Sequence, residues 1–221
     1  MGWLFGVDEA GRGPVLGSMF VAGVAIEDSD ALPDGVRDSK ELSPTRRERL
    51  AEALEVDPAV AVAIHEITAA EIDDEPGALN ELTRRGHRAV IDALHKRCPG
   101  ARCIVDACDV DADRWGRLLE TDLPDGISVE ARHGADADEP IVSAASILAK
   151  QRREDHVAAL AATHGSVGSG YPSDQTTRSF IAAHIERHGS LPPCARTSWQ
   201  TCADLLAAAE QSSLNDTHDR S

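Results

Sequence analysis

The sequence predicts an α/β fold, and three observations carry that expectation. Five short β-prone stretches are interleaved with segments of helical periodicity between residues 2 and 162. From Ser166 onward the strand signal stops and only helical segments follow. The 221 residues, 42% of them apolar, are enough for a sizeable core and a smaller appendage. The chain is therefore expected to divide into an α/β unit over 1–165, a helical C-terminal segment over 166–211, and a polar, disordered tail over 212–221.

Residues 2–8, GWLFGVD, are apolar and end on a carboxylate, and residues 17–26, GSMFVAGVAI, form a second β-prone stretch. The GRGP sequence between them breaks the chain, so the two are expected as adjacent antiparallel strands. SPTRRERLAEALEV opens a helix with Ser43 as N-cap and Pro44 at the first helical position, where a missing N–H is harmless. VAVAIHEI at 60–67 gives the third strand. Leu79, Leu82, Ala89, Val90, Ala93 and Leu94 share one face of a long helix that stops before Pro99-Gly100. RCIVD, ending at Asp106, reads as a short buried strand, DADRWGRLLE as a short helix, and ISVEAR at 127–132 as the fifth strand. A long helix follows over 141–162, with Gly165 as its C′ residue. Residues 175–188 and 198–211 supply two more helices.

Charge narrows the function classes. Formal net charge is -16, with 38 acidic against 22 basic residues. Lys40, Lys96 and Lys150 are the three lysines. At ordinary ionic strength such a chain repels nucleic acid. Either it acts on small molecules, or its acidic, lysine-poor and aromatic-poor surface is built for molar salt, where the Debye length of about 3 Å screens the repulsion. The second reading fits the composition better. Cys98, Cys103, Cys108, Cys194 and Cys202 form no CxxC pair and no familiar zinc spacing, so they read as reduced thiols serving as small apolar groups. No run of about 18 apolar residues marks a membrane span, and the N-terminus has no basic segment of a secretion signal. No membrane association, a cytoplasmic location and a monomer are the expectations.

Candidate chemistry sits at strand ends. Asp8 and Glu9 close the first strand, Asp106 closes IVD, and Asp136 follows the fifth strand just before a helix. Loops beyond strand ends are where α/β sheets place their sites. Asp8 and Glu9 are neighbours, so a regular strand turns them to opposite faces. They can share one face only if the strand ends there, and the GRGP break is expected to end it. Four carboxylates without nearby His or Cys suit a hard cation, Mg2+ or Mn2+, and their charge matches two such ions, which can jointly hydrolyse a phosphodiester. In so acidic a chain they can equally be solvated surface groups. Gly11-Arg12-Gly13 offers backbone N–H groups and a guanidinium to a phosphate, or is a plain hairpin turn. Tyr171, the single tyrosine, sits in the loop GYPSD, where it can stack on a sugar or base or plug the loop from beneath. Asp174 or Ser173 is the N-cap of the next helix. Lys40 is a candidate phosphate contact, with Arg46 and Arg47 as assistants or exposed helix charges. Lys150 either reaches the site or caps a surface.

Taken together, DEAGRGPVLG at 8–17, DSKELSP at 38–44, VD at 105–106, AD at 135–136 leading into PIVSAASILAK at 140–150, and GSGYPSD at 168–174 resemble ribonuclease HII of the archaeal type, in order and in spacing, over roughly residues 5–200. The resemblance implies an RNase H-like fold: a mixed five-stranded sheet flanked by helices, with a helical C-terminal segment. It implies an endonuclease that hydrolyses the RNA strand of RNA–DNA hybrids and cuts 5′ of ribonucleotides embedded in duplex DNA, leaving 3′-hydroxyl and 5′-phosphate ends. Asp8, Glu9, Asp106 and Asp136 would be the catalytic, metal-binding carboxylates, holding two Mn2+ or Mg2+ ions with substrate bound. Gly11, Arg12 and Gly13 would recognise the ribose 2′-hydroxyl, the group that separates RNA from DNA. Tyr171 would test the deoxy sugar beyond the junction, and Lys40, with Arg46, would touch the backbone.

The chain departs from the family pattern in an acidic direction, at Asp138 and Glu139, at Glu154, and at Arg196-Thr197-Ser198-Trp199, which replaces a more basic run. Each lost phosphate contact flattens the salt dependence of duplex binding by about 0.9. Two other readings stand beside the nuclease: a catalytically inactive hybrid-binding module, and a metal enzyme acting on small phosphoesters, suggested by DACDVD. A replication clamp is a conceivable partner, but the tail shows no clamp-binding motif.

Overall fold

The computed structural model describes residues 2–36 and 42–218. Its frame is a mixed five-stranded sheet built from β1 (Trp3–Ala10), β2 (Met19–Ile26), β3 (Ala61–Ile67), β4 (Ala101–Asp106) and β5 (Ser128–Arg132), in the order β3-β2-β1-β4-β5. β2 pairs antiparallel with both β1 and β3, whereas β1, β4 and β5 run parallel. Every residue of β2 is buried, as an inner strand covered on both faces requires, and this explains why MFVAGVAI shows no polar alternation.

Helices cover both faces. α3 (Leu79–His95) lies on the face to which Gly23 points: a Cβ there would stand 2.3 Å from Val90 and 2.9 Å from Leu94. α6 (Pro140–His164) lies on the other face, so close that a Cβ on Gly6 would meet the Ile141 backbone at 2.4 Å. The Gly6 position is therefore closed to any side chain. Behind it, Ala22, Val24 and Ile26 of β2 pack with Ile141, Ile147 and Leu148, and with Leu50 and Leu54 of α1 (Pro44–Val56). Ser43 caps α1 as expected, accepting from the Arg46 N–H.

α4 (Ala112–Thr121) begins at the Asp111 cap. In DACDVD, the Asp109 carboxylate accepts from Arg114 at 2.5 Å and from the Asp111 N–H at 3.1 Å, so that stretch serves to start a helix. Asp174 is the N-cap of α7 (Gln175–His188), and Gly165 closes α6.

The structure differs from the sequence reading at three elements. β1 does not stop at Asp8. Its register with β2 runs unbroken from Leu4↔Ile26 to Ala10↔Phe20, and the chain turns only at Gly11, whose φ is +90°. A short helix, α2 (Ala69–Asp74), was not anticipated, although its capping box is present in the sequence: Thr68 and Glu71 satisfy each other's backbone N–H groups. α8 (Gln200–His218) continues beyond 211, its polar residues notwithstanding.

The chain folds into two compact units. One comprises Met1–Gly11, Met19–Ile67 and Leu79–Arg153, and holds the sheet. The other comprises Arg12–Ser18, Thr68–Ala78 and Glu154–Ser221. Its core gathers Val15, Leu16, Val167, Phe180, Ile181, Ile185 and Cys202. All five cysteines are free thiols. Among the described residues no helix is long and apolar enough to cross a membrane.

Candidate active site

Strand register assembles the first part of the site. Val7 pairs with Val105 across the parallel β1–β4 junction, so Asp8 and Asp106 follow one step later on the same face, the face of α6. Glu9 takes the opposite face, because β1 stays regular through Ala10. The expected chain break that would have turned both carboxylates the same way does not occur; continued pairing with β2 decides it. Asp136 stands on the short helix α5 (Ala135–Asp138). The Asp106 carboxylate accepts from the Ala135 N–H at 2.7 Å, which ties the turn that carries Asp136 to the end of β4.

The four carboxylates form one electrostatic group. Asp8 is 5% exposed, and its carboxyl is pushed up to about 8, first by burial and then by the charge of Glu9, with Asp106 adding to the effect. The Ser146 hydroxyl on α6 faces it and favours the charge, without closing a hydrogen bond of good geometry. Asp106 is also raised, chiefly by burial; the Ala135 N–H opposes the shift, and the charges of Glu9 and Asp136 reinforce it. The Lys150 ammonium stands 3.5 Å from Asp136.

Among the described residues, no three His, Cys, Asp or Glu side chains are already gathered in a geometry that would hold a metal ion. The donor chemistry nevertheless fits a hard divalent cation. All four groups are carboxylates, and the buried Asp8 needs positive charge nearby to stay ionised at neutral pH.

The metal-free protein should lose stability as the pH rises from about 4 to about 8. Asp8 loses its proton near pH 4 when unfolded but only near 8 when folded. The folded state therefore holds an extra proton between these values, and stability falls as the pH rises through them. A divalent cation competes with that proton and should flatten the slope. Urea unfolding across pH, in EDTA and in Mg2+, measures this. The same slope in both, or an undiminished slope in Asp8→Asn, would contradict it.

The second unit holds Arg12, Gly13 and Tyr171. Tyr171 is 45% exposed, and its ring leans on the backbone of Gly13: a Cβ there would stand 3.3 Å from Cε1. The Val15 N–H donates to the Gly170 carbonyl at 2.7 Å, joining the loop after Arg12 to the tyrosine loop. Fully buried Arg196 donates to the carbonyls of Gly17 at 2.8 Å and Arg12 at 2.9 Å, and its side chain lies over the Trp199 ring. Its guanidinium therefore shapes the glycine loop from within and is not offered to a ligand. Asp174 accepts from the backbone of Ser169 and Thr176, which holds its carboxyl down at about 2 and fixes the other end of the tyrosine loop.

Arg46 stands in the first turn of α1 with its guanidinium against Gly35. Lys40 lies outside the described residues. Glu139, one of the acidic departures, is engaged by Arg132 at the end of β5, so part of that added charge is neutralised locally.

Sequence reasoning missed two residues that touch the carboxylates. Ser146 was legible only as part of a small-residue helix start. His87 on α3 is fully buried, and its Nε2 lies 2.8 Å from Glu9 Oε2. Its one sequence signal is a lone imidazole in the stripe formed by Thr83, Val90, Ile91 and Leu94.

Comparison with known proteins gives a consistent result. The model of the Ribonuclease HII family matches residues 5–202. Ribonuclease HII of Haloarcula marismortui is 52% identical over 212 residues, covering 96% of this chain and 99% of that protein. The ribonuclease H2 structure from Pyrococcus horikoshii OT3 aligns with a TM-score of 0.86 at 34% identity, over 94% of this chain and 99% of that one. The RNase HII of Archaeoglobus fulgidus, solved as a PCNA complex, aligns with a TM-score of 0.80 at 38% identity, over 91% and 96% of the respective chains.

Proposed function

Since the chain belongs to the ribonuclease HII family, and so to the endoribonucleases, we propose that it hydrolyses the RNA strand of RNA–DNA hybrids and cuts on the 5′ side of ribonucleotides embedded in duplex DNA, leaving 3′-hydroxyl and 5′-phosphate ends. The observation that carries the reading is geometric: the parallel β1–β4 register sets Asp8 and Asp106 side by side on one face, and the Ala135 N–H ties the turn that carries Asp136 to Asp106.

Asp8, Glu9, Asp106 and Asp136 would hold the divalent cations, two Mg2+ or Mn2+ with substrate present. Bound there, the ions would supply a water activated for attack and stabilise the leaving oxygen. Asp8 is buried and Asp106 half-buried, so the charge of Asp8 in particular acts through little solvent, which strengthens its hold on a cation. Gly11, Arg12 and Gly13 would read the 2′-hydroxyl through backbone groups, with Arg196 keeping the loop in shape. Tyr171 presents a half-exposed ring, suited to packing on the next sugar. Lys40 and Arg46 are assigned to backbone phosphate.

The acidic composition belongs to the same proposal. A chain of net charge -16 that must approach a polyanion is suited to concentrated salt, and we read it as halophilic.

The test is cleavage of a labelled DNA duplex containing one ribonucleotide, in Mn2+ or Mg2+, from about 0.1 M to above about 1 M salt, over which the Debye length shrinks from about 10 Å to about 3 Å. A single cut 5′ of the ribose is expected. Binding without cleavage by folded protein at every salt concentration would replace the nuclease with a hybrid-binding module. Turnover of a generic phosphomonoester alone would point to a small-substrate enzyme.

A further inference from the structure

We propose that His87 is a positioning residue of this centre, holding Glu9 through Oε2 so that the carboxylate keeps one orientation toward the metal. The inference rests on the reading of Glu9 as a metal ligand and adds a residue that no motif in the chain marks.

The geometry is specific. Glu9 departs from the other carboxylates by facing α3, and its side chain is 6% exposed. α3 is held at close range there: a Cβ on Gly86 would stand 2.7 Å from Val21 and 3.0 Å from Ile67. That approach sets the height of the next residue, His87, over β1. The ring of Trp115 meets the imidazole edge-on, with centroids 5.6 Å apart and planes at 84°, and limits its rotation. An ionised carboxylate only accepts, so Nε2 must carry the proton and donate.

The other nitrogen argues against a purely packing role. Nδ1 of His87 is buried and has no hydrogen-bond partner. A position that only filled the core would be served better by an apolar side chain, which leaves no polar atom unsatisfied. What imidazole supplies there and an apolar ring does not is the Nε2–H directed at Glu9. With Oε2 engaged, the Glu9 carboxylate is held in a fixed rotamer. Partners of this kind, one shell out from a metal, typically change metal affinity or activity by about 10–100-fold when lost.

The experiment compares His87→Phe, which keeps a ring against Trp115 without the donor, with His87→Gln, whose amide N–H reaches the Nε2 position. Mn2+ binding to the substrate-free proteins is measured by calorimetry, and kcat and KM for a hybrid are measured at saturating metal. The Phe variant should bind Mn2+ at least about tenfold more weakly and lose kcat, with KM for the hybrid little changed, while the Gln variant stays within about threefold of the parent. Parental metal affinity and kcat in a folded His87→Phe protein would overturn the assignment. If that variant does not fold, the Nε2–H resonance of His87 in 15N-histidine-labelled parent decides: it should shift as Mg2+ is added, and an unmoved resonance overturns the assignment. Loss of activity in Glu9→Gln with a silent His87 would sink this inference alone. An active Glu9→Gln would sink the metal-ligand reading itself.

Discussion

Asp8→Asn, and separately Asp106→Asn, should abolish cleavage while leaving the fold intact. Asparagine preserves the shape of either side chain but removes its charge and turns an amide N–H2 toward the cation. Asp8 sits on the α6 face beside Ser146 and one register step past the Val7–Val105 pair, so an isosteric replacement needs no repacking. The loss should exceed the roughly 10–100-fold that removal of a residue one shell out produces, because a direct ligand is lost. The metal-free Asp8→Asn protein should also be more stable than the parent at pH 8. Burial and the Glu9 charge penalise ionised Asp8, and that penalty disappears. Single-turnover cleavage and thermal melting in EDTA read out the two effects. A variant that cuts at a near-parental rate would remove Asp8 or Asp106 from the metal-ligand set.

Desalting should unfold the protein. With 38 acidic and 22 basic residues, the folded chain concentrates like charges that the extended chain spreads apart. Screening lengths grow from about 3 Å at 1 M salt to about 10 Å at 0.1 M, so self-repulsion rises as salt is withdrawn. Surface pairs such as Arg102–Glu130 and Arg152–Glu55 offset only a few of these charges, and exposed pairs of this kind contribute little each. Near-UV circular dichroism should collapse below a few tenths molar salt. Binding to hybrid should conversely weaken only gently between about 0.5 and 2 M, since few phosphate contacts remain to be screened. A near-UV spectrum indifferent to desalting would end the halophilic reading, and a steep loss of binding over that range would show that phosphate contacts dominate after all.

Much of the fold was legible because its elements are written locally. Ser43-Pro44 starts α1, the apolar stripe from Leu79 to Leu94 defines α3, and Gly165 stops α6; each depends on residues within a few turns of one another. The resemblance in DEAGRGPVLG, DSKELSP, VD at 105–106, AD at 135–136 with PIVSAASILAK, and GSGYPSD identified the family, and strand ends nominated the carboxylates by position. Length and charge fixed the scale of the core and the mismatch with a polyanionic substrate.

What tertiary structure alone decided was where those residues point and what they touch. Asp8 and Glu9 are consecutive letters. Their separation onto two faces followed from β2 pairing as far as Ala10, a long-range register that no local pattern announces. Asp8 meets Asp106 because two strands about a hundred residues apart in sequence lie parallel in one register. His87 reaches Glu9 because α3 comes down on the sheet at Gly86, and Arg196 shapes the loop at Arg12 from far along the chain. Sequence determines the chemistry each residue carries and the local element it joins. Its partners, burial and proton affinity come from contacts between distant segments, and these exist only once the chain has folded.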